Sequence, residues 1–378
     1  MERRKQVELL SECVELTRAG RPHLTDDESF VPVAEYTDAA VFEQERDLLF
    51  RRSMNLVAHA SLIVSPGDFI TRDLAGSPVI LVRDRHGQAK AFLNVCRHRG
   101  ATLELRDLGN CRRFVCPYHG WTYETDGSLA AVRHAEGFPS LEPEQSGLVE
   151  LPCVEAAGFL WACPDPDALD VFPDAGSKAL LSELEGFGCD EGVVFESESR
   201  VWRANWKLIV DGGLESYHFK VAHRETVGGF FADNISTFQF LGEHIRTVLP
   251  RLSVAELADR PESEWNIREH SHLVYAIFPN ATVLMQEGHF ELIIMTPLTV
   301  DETRVEIATV VPGGHSDKGQ AFWSANHAFT KATLNEDFEL AEQIQRGIGS
   351  GANEVFRFGR FEGALSRWHE MLDAKLGR

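Results

Sequence analysis

Two short motifs constrain this chain more than anything else in it: Cys96-Arg97-His98 and Cys116-Pro117-Tyr118-His119, with 17 residues between His98 and Cys116. Two soft thiolates and two imidazoles within 24 residues make a complete four-donor set. Whatever forms here must bring two loops together around a metal. Zinc would take such a set around one tetrahedral ion. A mixed-ligand [2Fe–2S] centre would put the two cysteines on one iron and the two histidines on the other. The flanks favour the second. Gly100, Pro117 and Gly120 can turn the loops toward each other and leave backbone N–H groups facing the sulfurs. Trp121 and Tyr118 can cover the cluster. Cys111 fits neither motif and is read as a bystander.

The other cysteines, Cys13, Cys153, Cys163 and Cys189, are scattered and read as buried thiols, not as a disulfide framework. The net charge of −21 excludes nucleic acid and anionic membrane as partners, since both require a basic face. No apolar run approaches the ~18 residues that span a bilayer. Met1 to Leu16 reads as a charged amphipathic helix without a signal-peptide core, which implies a cytoplasmic protein.

At 378 residues two domains are expected. Residues 1–40 read as a helix followed by an arm. Residues 41–163 alternate short apolar runs, such as Val79-Ile80-Leu81-Val82 and Phe159-Leu160-Trp161, with turn signals at Ser65-Pro66-Gly67 and Asp126-Gly127. That is an all-β module. Pro164 to Gly176 reads as a linker or surface loop. Residues 164–378 mix helices and strands: a helix from Trp206 to Ala222, strands from Ser236 to Val311, a long helix from Gly319 to Gly347 and a last one from Arg360 to Leu376. Strands grouped together with helices outside them give an α+β fold.

The second domain carries a second set of donors. His218 and His223 are five residues apart, which on an ideal helix separates them by ~140°. To share one ion, the helix must be distorted between them by a π-type bulge or an ending turn. In the long helix, Phe338, Ala341, Ile344 and Ile348 all lie within about 80° of Leu334. Asp337 falls inside that stripe, whereas Glu336, Glu339 and Gln343 fall on the far side. A carboxylate on an apolar face is costly unless it is paired or metal-bound. Two histidines and one carboxylate are the facial triad of non-haem Fe(II) oxygenases, which leaves positions open for O₂. His218, His223 and Asp337 are therefore assigned to a mononuclear iron. Glu215, one turn before His218, can accept the imidazole's other N–H. Asp211, Glu215 and His218 would share one helical face.

Taken in order, Cys96-x-His98, Cys116-x₂-His119, Asn205-Trp206-Lys207, Glu215-x₂-His218-x₄-His223, Phe278-Pro279-Asn280, Asp337 and Gln345-Arg346-Gly347 resemble the Rieske-type non-haem iron oxygenase α-subunit family. The resemblance implies a Rieske β domain and a catalytic domain built on an antiparallel sheet with flanking helices. It implies a homotrimer in which Glu215 links the iron to His119 of an adjacent subunit, and it points to Asp211 and Asn205 as further site residues. The bridging acid is usually Asp. Glu there resembles carnitine- and choline-type monooxygenases. With no G-x-G-x-x-G after a strand, electrons must come from NAD(P)H through a separate reductase, with or without a ferredoxin. The implied reaction is hydroxylation, by mono- or dioxygenation, or demethylation of a small aromatic or hydrophobic substrate with O₂. Quaternary ammonium oxidation is the alternative. A zinc-stabilised binding protein is the non-enzymatic one.

Overall fold

The computed structural model describes residues 1–168, 172–314 and 318–378. They form two compact units, one comprising Met1–Leu49 with Phe172–Arg378 and one that begins at Phe50. No helix among the described residues is long and apolar enough to cross a membrane.

The unit beginning at Phe50 is built on antiparallel β-sheets. Its largest sheet runs in the order Glu150–Leu151, Ala89–Leu93, Ser77–Arg83, Asp68–Leu74 and Leu108–Asn110. The run Val79-Ile80-Leu81-Val82 is buried without alternation. Successive side chains on a strand face opposite sides, so a continuous apolar run needs cover on both. Val79 and Leu81 pack with Ile70 and Leu160, while Ile80 and Val82 pack with Phe69, Phe92, Cys96 and Cys116. The second of these cores is the one that anchors both metal loops. The Cys116 loop is the connection of a hairpin between strands Arg113–Val115 and Thr122–Glu124.

In the other unit, seven antiparallel strands lie in the order Gly192–Trp202, Glu302–Pro312, Phe290–Thr299, Ala281–Met285, Ser271–Ile277, His244–Pro250 and Thr237–Leu241. The last six in sequence form a meander, and the first closes beside the last. Helices Trp206–Leu214 and Phe219–Ala222 come between strand Gly192–Trp202 and the meander, and helices Gln320–Ile348 and Gly363–Leu376 follow it.

Four expectations are corrected here. Residues up to Leu49 belong with the C-terminal unit rather than forming a separate arm and the start of the β module. Strand Ser29–Pro32 pairs with Val355–Phe358, and buried Glu45 accepts hydrogen bonds from Trp206 and Lys207. The expected linker lies partly outside the described residues, at 169–171, and its end is a helix, Ala175–Glu185, capped by Asp174 through the Ser177 N–H. The strand expected from Ser236 is two strands with Gly242 in the turn at φ 64°. The helix expected from Trp206 to Ala222 breaks after Leu214.

Candidate metal centres

The two cysteine loops are built alike. Cys96 N–H donates to Ala101 O at 2.8 Å, and Gly100 N–H donates back to Cys96 O at 2.9 Å. Cys116 N–H donates to Trp121 O at 2.8 Å, and Gly120 N–H to Cys116 O at 3.0 Å. Each loop closes through a glycine at positive φ, 76° and 75°, a conformation that β-carbons resist. Both cysteines are buried. Between the loops, the His98 and His119 rings lie 4.7 Å apart, and Nδ1 of each is buried with no hydrogen-bond partner among the described residues. Buried polar atoms are rarely left unpaired without a reason. Two orphaned imidazole nitrogens beside two buried thiols fit the donor set of a mixed-ligand [2Fe–2S] centre. Trp121 stacks on His98 at 4.9 Å and Tyr118 packs against His119 at 3.7 Å, as the flanks suggested. Tyr123 was not foreseen: its hydroxyl accepts from Arg97 N–H at 3.0 Å and lies 3.4 Å from Cys96 Sγ, so its own proton is free for the sulfur.

In the other unit, the helix Trp206–Leu214 gives way to extended backbone at Glu215, φ −131° and ψ 163°. A single turn, Phe219–Ala222, then has His218 and His223 at its two ends. The two imidazoles converge because they flank an ending turn. The turn ends at His223, φ −100° and ψ 25°, which is the second of the two distortions expected, and the chain is also interrupted before His218. Their Nε2 atoms are 3.1 Å apart, and Asp337 Oδ1 is 3.3 Å from the first and 3.0 Å from the second. Bonds of about 2.1 Å to one ion, meeting at right angles, would place neighbouring donors about 3 Å apart. The three atoms therefore fit one face of an octahedral ion. The rest of the apolar stripe is buried at Phe338, Ala341 and Ile348, but Ile344 is 43% exposed.

Behind the triad, each imidazole meets a carboxylate through Nδ1. His218 bonds Glu215 Oε1, and Glu215 Oε2 accepts from the backbone N–H groups of Tyr217 and His218. His223 Nδ1 bonds Glu336 Oε2 at 2.7 Å, and that oxygen also accepts from Thr226 Oγ1 at 2.7 Å. Carboxylates at both Nδ1 atoms leave the Nε2 lone pairs for a metal. Burial opposes charge on His218, yet Asp337 and Glu215 raise its pKa to about 10. His223 is also raised, by Asp337 against burial. The pocket is thus negative enough to retain a positive charge, which is what a divalent ion would supply. Glu336 lies outside the apolar stripe of its helix, as its periodicity places it, and the His223 turn comes to meet it there. Glu336→Ala is expected to weaken Fe(II) retention about 10–100-fold, measured by competition with a graded series of chelators. Unchanged retention would remove Glu336 from the site.

Asn205 and Asp211 hold the scaffold and touch none of the three donor atoms. Asn205 caps its helix through Lys207 N–H and ties it to Val300 O, while its own N–H donates to Gln345. Asp211 accepts from the Tyr36 hydroxyl at 2.7 Å and bonds His369 at 3.0 Å. It lines a cavity shared with Glu215 and His218, but both its oxygens are engaged. The shared helical face expected for Asp211, Glu215 and His218 is lost with the helix break.

A second cavity opens on the other side of the triad, lined by His223 and Asp337 and otherwise mostly by apolar side chains. Of the aromatic residues in the catalytic sequence, Phe219, Phe231 and Phe329 reach it. Met285 and Phe290 are core, and Phe230 is exposed.

Residues 53–142 match a family model described as the Rieske [2Fe-2S] domain, and residues 189–378 match one described as the ring hydroxylating alpha subunit catalytic domain. The chain is 36% identical over 197 residues to the carnitine monooxygenase oxygenase subunit of Escherichia coli (strain K12), covering 51% of this chain and 52% of that protein. It thus spans about half the length of that relative. It is 33% identical over 359 residues to the large oxygenase component of a naphthalene 1,2-dioxygenase system from Ralstonia sp, covering 82% of this chain and 74% of that protein. In structure it resembles a quaternary ammonium Rieske monooxygenase in complex with L-carnitine, with a TM-score of 0.79 at 25% identity, over 93% of this chain and 97% of the other.

Proposed function

We propose, from the premise that this chain belongs to the Rieske-type ring-hydroxylating oxygenase α-subunit family, that it is the terminal oxygenase of a multicomponent system acting on a small apolar or aromatic substrate. The observation that carries this reading is the His218–His223–Asp337 triad opening onto an apolar cavity, in a chain with a second, separate set of four metal donors. When bound, a [2Fe–2S] centre supplies electrons one at a time and an Fe(II) ion supplies O₂ activation.

The chain's own residues do the rest. Cys96 and Cys116 would hold one iron of the cluster, and His98 and His119 the other. His218, His223 and Asp337 would hold the mononuclear iron, with Glu215 and Glu336 fixing the two imidazoles in the tautomer that leaves Nε2 free. Phe219 packs edge-on 5.3 Å from the His223 ring and keeps water from that flank. Insertion of oxygen from O₂ also consumes two electrons and two protons. The electrons are assigned to an NAD(P)H-dependent reductase, with or without a ferredoxin, and the working form to a cytoplasmic homotrimer. Oxidation of a quaternary ammonium compound is the second reading. The likeness to the carnitine enzymes favours it, and so does Glu215 as the bridging acid.

Protein purified with its metals is expected to be brown and to contain iron and acid-labile sulfide in a ratio of about three to two. Its reduced form should give the electron paramagnetic signal of a mixed-ligand cluster. Stoichiometric zinc without labile sulfide would refute the assignment. Substrate-dependent NADH oxidation with a surrogate reductase, read together with product, separates the two substrate readings.

A further inference from the structure

Among the polar groups that line the apolar cavity and that the metal site does not use, His272 is held in a fixed direction by a cation behind it. His272 lies on strand Ser271–Ile277, where alternate residues face opposite sides. His272 and Val274 face the cavity, beside their cross-strand partners Leu249 and Leu284. Tyr275 faces away and donates to Glu183. His272 Nε2 is 3.0 Å from Nη2 of Arg251. A guanidinium can only donate, so the ring nitrogen facing it must be the unprotonated one. Burial first, then the charges of Arg251 and His289, push the His272 pKa down to about 3, so the ring is neutral and its single proton sits on Nδ1. Among the described residues, Nδ1 has no hydrogen-bond partner.

Three ring contacts connect this donor to the triad. His272 packs 4.9 Å from Phe231, Phe231 5.4 Å from Phe219, and Phe219 5.3 Å from His223. The donor therefore stands at the far end of an aromatic wall from the iron ligands. The cavity's other polar side chains, among them Thr282, Gln286 and Thr330, are neutral, and Gln286 already donates to Thr330. Among the described residues its one carboxylate, Asp337, is committed to the two imidazoles. A substrate cation would find no free carboxylate there and would face Arg251 behind His272.

We propose that His272 is a specificity-determining residue, a donor locked in place by Arg251 that selects a ring-bearing apolar substrate with an acceptor oxygen, carboxylate or carbonyl, remote from the carbon to be oxidised. This rests on the oxygenase reading and narrows its substrate to the acceptor-bearing class, against a quaternary ammonium ion. A hydrogen bond to a charged acceptor is among the stronger ones, so a carboxylate should bind at least about tenfold tighter than the same ring without it.

The test is titration calorimetry of the metal-loaded protein with benzoate, toluene and benzyltrimethylammonium, which needs no turnover. Benzoate is expected to bind about tenfold tighter than toluene and tighter than the ammonium ion. His272→Phe is expected to bring benzoate within about twofold of toluene while toluene binding holds. His272→Gln is expected to keep the preference, because its carbonyl can accept from Arg251 while its amide donates into the cavity. Three results would overturn the assignment: benzoate no tighter than toluene, including no binding of either; a preference that survives His272→Phe; or the ammonium ion binding best. Iron and labile sulfide measured on the same samples judge the oxygenase reading separately. Protein without them defeats both, whereas loaded protein without a His272-dependent preference defeats only the selectivity.

Discussion

Asp337→Ala is expected to reduce product formation to background and to empty the mononuclear site, while the visible spectrum of the cluster is unchanged. Three donor atoms 3.0–3.3 Å apart define the site, and Asp337 contributes the only charged one. Without it, the two imidazoles face each other across 3.1 Å with no carboxylate oxygen beside their Nε2 atoms. Losing a group that merely orients a ligand costs about 10–100-fold in metal affinity or activity, so losing the charged ligand itself should cost more. Asp337→Asn separates shape from charge. It fills the same space and offers one neutral oxygen, and it should fail nearly as badly. The measurement is iron against labile sulfide, expected to fall from about three to two toward one to one. The cluster donors belong to a different compact unit, so their spectrum serves as an internal control. Normal turnover by Asp337→Ala would remove this residue from the ligand set.

Asp337 could be found in the sequence because a carboxylate inside an apolar stripe is an energetic anomaly that periodicity exposes. The cysteine loops were legible for a similar reason: donor types, spacing and turn residues all point one way. Glu336 was not legible. It is an acidic residue on the polar side of a helix, and only the tertiary placement of the His223 turn gives it a partner. Strand Gly192–Trp202 was missed because it is a sheet edge rich in polar residues, Glu196-Ser197-Glu198-Ser199-Arg200, without apolar alternation. The break after Leu214 did leave a trace. Gly212 and Gly213 each cost a helix about 1 kcal/mol relative to alanine, which weakens the helix just where it ends. Burial of residues 1–49 with the C-terminal unit depends on long-range pairs such as Tyr36 with Asp211 and Glu45 with Lys207. No local pattern encodes such pairs.

Glu215→Gln is the second large effect, and it follows from counting donors. Three N–H groups converge on this one carboxylate: the His218 imidazole on Oε1, and the backbone N–H groups of Tyr217 and His218 on Oε2. Both carboxylate oxygens accept, whereas a glutamine has one acceptor and turns its NH₂ toward donors. Either the imidazole loses the group that fixes its tautomer, or the turn that carries it loses its cap. A buried group left unsatisfied costs about 1–3 kcal/mol. Fe(II) retention should fall about 10–100-fold, and product formation at limiting iron should fall with it. Glu215→Asp, which keeps the charge and shortens the reach by one methylene, should hold iron better than Glu215→Gln, because acceptor count matters more here than length. Competition with a chelator gives the affinity, and turnover at saturating iron shows whether the deficit is one of occupancy alone. We expect a deficit to persist at full occupancy, since an imidazole with its proton unfixed cannot hold the geometry of the triad. A glutamine variant that retains iron and turns over like the wild type would reduce Glu215 to a passive cap on its turn.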